Sequence, residues 1–81
     1  MITHRQIRAA RALLGWTQQA LADRAVVAVN TIGRIETGSD MDRRGASYFR
    51  VIRAFETAGI EFLSIGEGVQ FAPRRRRQRT K

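Results

Sequence analysis

The sequence predicts a mainly α fold, four helices followed by a short C-terminal β-hairpin. Three observations carry the prediction. Apolar residues recur at three- and four-residue spacing through residues 3–58, and Gly15, Gly38 and Gly59 stand at the ends of periodic runs. Beyond Gly59 the pattern changes to short runs of Ile, Leu, Val and Phe on either side of Gly66-Glu67-Gly68.

Thr3 followed by Gln6 fits a capping box, opening a helix that runs to about Leu14. Ile7, Ala10, Leu13 and Leu14 form its buried stripe, and Gly15 ends it. Arg5 and Arg8 lie on other faces and read as solvated surface; His4, the sole histidine, has no obvious partner and reads the same way. A second helix, residues 18–25, is capped by Thr17 and turns Leu21, Ala22 and Ala25 inward. Trp16 before the cap and Leu21 in the first turn can pack as a hydrophobic staple. The chain then turns through Val26 and Val27 into a third helix, about residues 28–36, stopped by Gly38. Ile32 and Ile35 face inward from it. Val29, Asn30, Gly33 and Arg34 are left outside, a surface able to meet thymine methyl groups, base edges and phosphate.

Residues 37–45, TGSDMDRRG, are a loop by composition. Asp40 and Asp42 lack further ligands there, so neither a metal nor a cofactor is expected. A fourth helix, residues 46–58, carries Tyr48, Val51, Ile52 and Phe55 as a stripe that covers the preceding helices, with Gly59 as its cap. Two strands follow, residues 60–65 and 69–72. A lone two-stranded ribbon is marginal in water, so it must either pack on the helices of its own chain or pair with the ribbon of a second chain. The expected organisation is a helical domain at 1–58, a hairpin at 59–72 and a disordered basic tail at 73–81.

Bulk composition narrows the function classes. The 81 residues suit one domain, and without cysteine there are no disulfides, thiolate metal sites or thiol nucleophiles. With one histidine near the chain start and no paired carboxylates on a rigid cleft, an enzyme is not expected. No apolar run is long enough for a signal peptide or a membrane span, which leads to an expectation of a soluble cytoplasmic protein. Of the +8 formal charge, six basic residues lie in residues 74–81, leaving nine basic against seven acidic residues before them. The tail is therefore either a passive solubilising segment or a phosphate clamp or minor-groove arm.

Thr17, Gln18, Leu21, Ala22, Ala25, Val27, Thr31, Ile32, Ile35, Glu36 and Gly38 together resemble the Cro/Xre-type helix-turn-helix DNA-binding proteins, which include the lambda-type phage repressors. The resemblance is close over about residues 7–38 and looser in the following helix. It implies a lambda-repressor-like domain and a transcriptional regulator, a repressor that binds a two-fold operator as a homodimer through the major groove. Position by position, it implies base contacts from Ala28, Val29, Asn30 and Arg34. Phosphate contacts would come from Gln18, Thr37, Arg43 and Arg44, while Thr31 faces either the groove or a phosphate. It also implies an ion pair between Arg11 and Glu36. A two-fold operator favours the second solution for the ribbon, a dimer interface of Ile60, Phe62, Leu63, Ile65, Val69 and Phe71. Two residues depart from the family pattern. Val26 stands where glycine is usual, and Ala28 where a serine or threonine cap is usual; the turn is then either built differently or less stable. The alternative reading is a protein-interaction module, such as an antitoxin whose apolar strands hold a cognate toxin.

Overall fold

The computed structural model describes residues 2–38, 45–64 and 66–73. Its elements run α1 (His4–Leu14), α2 (Gln18–Ala25), α3 (Val29–Thr37), α4 (Ala46–Thr57), β1 (Ile60–Phe62) and β2 (Val69–Phe71). The architecture is the mainly α arrangement expected, four helices and then an antiparallel hairpin. Asp40, Asp42, Arg43, Arg44, Ile65 and residues 74–81 lie outside the described residues.

Local chemistry sets the helix ends. At α1 the capping box is complete: Thr3 Oγ1 accepts from the Gln6 amide and Gln6 Oε1 accepts from the Thr3 amide. Thr17 Oγ1 accepts from the Ala20 amide at the start of α2. Ala28 has the extended backbone of an N-cap, φ −70° and ψ 145°, but no side chain that can cap α3. The helix therefore begins at Val29, one residue later than the spacing predicts. Gly38 closes α3 with φ 78°, and a β-carbon there would lie 3.0 Å from His4 Nδ1. His4 is thus tucked against the end of α3 rather than free on the surface. At the end of α4 the cap is Ala58, with Gly59 following at φ 97°.

Between α2 and α3 the chain does what glycine usually does, using valine. Val26 sits in the left-handed region at φ 60°, ψ 51°, where a β-branched side chain crowds the backbone. The turn keeps a left-handed backbone that glycine would adopt freely, and takes the strain.

One apolar cluster unites the elements. Ile7, Leu21, Ile32, Val51 and Phe55 are fully enclosed, with Ala10, Ala22, Ala25, Ile35, Ile52 and Ile60 around them. Trp16 stacks on Phe55 of α4 at 5.8 Å, a partner beyond both α2 and α3 that a local staple does not predict. Leu13 departs from the expected stripe and is 41% exposed. At 3.6 residues per turn it lies roughly 100° from the direction shared by Ile7, Ala10 and Leu14, at the edge of the buried face.

The hairpin resolves its marginality by packing within its own chain. Ile60 is 3% exposed, and Phe62 meets Phe55 edge-on at 5.8 Å. This corrects the assignment of Ile60 to a dimer interface, since its side chain is enclosed by its own helices. Register pairs Ile60 with Phe71, Glu61 with Gln70 and Phe62 with Val69. The turn end of the ribbon is tied to α1 by Gln6, whose Nε2 donates to Leu63 O at 2.8 Å and Gly68 O at 2.9 Å. Gln6 is only 2% exposed, and its amide is bonded at both ends, oxygen to the α1 cap and nitrogen to the hairpin. No helix among the described residues is long and apolar enough to cross a membrane.

Candidate nucleic-acid interface

The outer face of α3 is held in place through the far end of the helix. Glu36, in its last turn, is 2% exposed. Arg11 of α1 donates to it twice, Nε to Oε2 at 2.6 Å and Nη2 to Oε1 at 3.1 Å, and also gives Nη1 to Trp16 O at 3.0 Å. Gln18 Nε2, from the first turn of α2, donates to Glu36 Oε1 at 3.0 Å. Arg8 Nη1 donates to the Glu36 backbone carbonyl, one of those left open at a helix C-terminus. Arg8 therefore has a partner that the solvated-surface reading missed. No spacing rule reveals it, because the contact runs from a side chain to backbone 28 residues away. Four donating groups on two helices thus fix both the rotation and the tilt of α3.

With that end anchored, Gln18, Val29, Asn30, Gly33, Arg34 and Thr37 line one shallow open groove of about 540 Å³. Asn30 and Arg34 are exposed, Val29 is 37% exposed, and Ala28 stands open at the helix start. Thr31 is half-buried beside them, and Thr37 Oγ1 donates to Arg34 O at 3.2 Å. The structure therefore brings Gln18, Val29, Asn30, Arg34 and Thr37 to one surface. Gln18 differs from expectation in one respect: one of its two amide protons is committed to Glu36, leaving a single proton for a phosphate. The α2 N-terminus adds the backbone amides of Gln18 and Gln19, which have no intrahelical acceptor.

Residues 7–54, which include the two helices and the tight left-handed turn between them, match the helix-turn-helix family model, of Cro/C1 type. The chain belongs to that family. More than half of it is matched, including all of α2 and α3 and most of α1 and α4. A search of curated proteins finds no match. As a helix-turn-helix protein, the chain is of the DNA-binding regulator kind. In the helix-turn-helix frame α2 is the supporting helix and α3 the recognition helix.

The missing side-chain cap at Ala28 bears directly on this surface. The amides of Val29 and Asn30 at the start of α3 have no intrahelical acceptor and no capping oxygen beside them. They add donors, and the positive end of the helix dipole, to the leading edge of the outer face of α3.

Proposed function

We propose that the protein is a sequence-specific double-stranded DNA-binding repressor that binds a two-fold operator as a homodimer. The observation that carries this reading is the single groove uniting Asn30, Arg34 and Val29 with the α2 N-terminus. Recognition is equilibrium binding, with no bond made or broken. The leading end of α3 enters the major groove, and Asn30 bonds an adenine edge through both amide atoms. Arg34 takes a guanine edge or a phosphate, and Val29 lies against a thymine methyl. The α2 amides and the remaining Gln18 proton hold a phosphate, which sets register without reading sequence.

The second copy is carried by the hairpin. With Ile60 enclosed, the apolar side chains left to a dimer among the described residues are Phe71, 52% exposed, with Phe62, Leu63 and Val69 half-buried. Placing two recognition helices on one face of a duplex requires their centres about 34 Å apart, one helical turn. Selection of bound sites from random duplex DNA tests both parts. An enriched inverted repeat with that spacing supports the reading; a single enriched half-site removes the dimer, and no enrichment removes sequence-specific binding.

A further inference from the structure

We infer that a second face of the protein, between the end of α2 and α4, docks an acidic segment of a partner protein that carries apolar anchor residues. Trp16, Val26 and Phe49 line a groove of about 700 Å³ there, and Arg24, Arg50 and Arg53 line the same groove with no carboxylate among the described residues of its walls. It shares no residue with the groove on α3.

Two independent features point to an occupant. First, Val26 and Phe49 are 75% and 63% exposed, so neither contributes its apolar surface to the core of its own chain. Val26 is strained as well, in a left-handed conformation that a glycine would adopt freely. An apolar side chain that strains the backbone and leaves three quarters of its surface open has its use outside the chain. Second, the charge is one-sided. Arg24 is held over the Trp16 ring, 4.5 Å from its centroid. Arg50 and Arg53 have no ion pair among the described residues.

That charge selects the occupant. A second copy docking by the same face across a two-fold axis would set these arginines against their equivalents. A nucleic-acid backbone would satisfy the arginines but leave Val26 and Phe49 against water and phosphate. An acidic segment with aromatic or aliphatic residues between its carboxylates satisfies both, its anchors between Val26 and Phe49 and its carboxylates on the guanidinium groups.

The test uses the full chain and a labelled synthetic peptide of alternating Asp or Glu and Phe or Leu, followed by fluorescence anisotropy and amide chemical shifts. Saturable binding is expected, with shifts centred on Val26, Phe49 and Arg53. Phe49→Ala and Arg53→Glu should each weaken it about tenfold or more, and a peptide with Lys replacing its acids should not bind. Val26→Gly separates binding from folding: it should raise the melting temperature while weakening the peptide. The inference is overturned by absent or non-saturating binding, or by shifts centred on Asn30 and Arg34. It also fails if duplex DNA competes the peptide away and shifts Arg50 and Arg53, which would make the face a phosphate surface. Each outcome leaves operator binding by α3 to be judged separately, since none of the substituted residues lies in that groove.

Discussion

Arg11 and Glu36 meet through two parallel hydrogen bonds, Nε to Oε2 and Nη2 to Oε1, linking α1 to the last turn of α3 across 25 residues of sequence. The carboxylate is almost wholly enclosed, its side chain 3% exposed against 25% for Arg11. A planar fork gripping a buried carboxylate fixes rotation as well as distance. The pair therefore decides which residues of α3 face outward. Its net stabilising effect is small compared with the penalty for breaking it, because an unpartnered buried charge is worse than either a pair or none.

Glu36→Gln should lower stability by roughly 3 kcal/mol, since Arg11 then faces a neutral amide that offers one acceptor instead of two. Arg11→Lys should also be destabilising, because an ammonium cannot reach both carboxylate oxygens and Trp16 O together. Thermal melts followed by circular dichroism measure both. An unchanged melting temperature for Glu36→Gln would mean the pair does not anchor α3.

Val26→Gly should stabilise the protein by about 0.5–1 kcal/mol. Relief of left-handed strain outweighs the extra freedom of glycine in the unfolded chain, and little burial is lost from a side chain 75% exposed. Urea titration at constant slope gives the value. A lower midpoint would show that the side chain packs usefully in the free protein.

Ala28→Ser should add about 1 kcal/mol of stability, because the backbone at φ −70°, ψ 145° already has the N-cap conformation and lacks only an oxygen. The measurement belongs to the protein without DNA, where only the cap is at issue. A hydroxyl that left the urea midpoint unmoved would mean the α3 amides are already well solvated.

Gln6→Leu should cost about 3 kcal/mol, leaving the Thr3 amide and the Leu63 carbonyl without their Gln6 partner and the Gly68 carbonyl with the Leu63 amide alone. The loss should fall unevenly. Hydrogen exchange should show the hairpin amides losing protection before those of α2 and α3. Uniform loss across the chain would contradict Gln6 as the tie between α1 and the hairpin.

Much of this was legible in the residues, and the exceptions have a common cause. Helix limits followed from short-range chemistry: the Thr3 and Gln6 box, the Thr17 cap and the glycine stops are contacts within four residues. Val26 and Ala28 stood out only as departures from the family pattern, which left open whether the turn is strained or built differently; the left-handed backbone at Val26 decides for strain. Arg11 with Glu36 was legible only through family resemblance, since no spacing rule joins residues on different helices. Gln6 illustrates the limit best. Its capping role is local and was plain, whereas its hold on Leu63 O and Gly68 O spans 57 and 62 residues and had no local signature. The same holds for Trp16 on Phe55 and for Arg8 on the Glu36 carbonyl. Enclosure of Ile60 was one of two physically sound ways to stabilise a ribbon, and the choice between them lay in tertiary packing. On the outer face of α3 the residue types were readable, but not that Gln18 divides its amide protons between Glu36 and the groove.

The central claim is that Asn30, exposed on α3, reads a base edge. Site selection from random duplex DNA with the parent and Asn30→Ala, at one fixed salt concentration, tests it directly. Preference at one or two base pairs should flatten, by about 1–3 kcal/mol of discrimination, while preference elsewhere in the site persists. If Asn30→Ala selects the same site with every position as sharply defined as before, or weakens all sequences equally, the assigned recognition face is wrong.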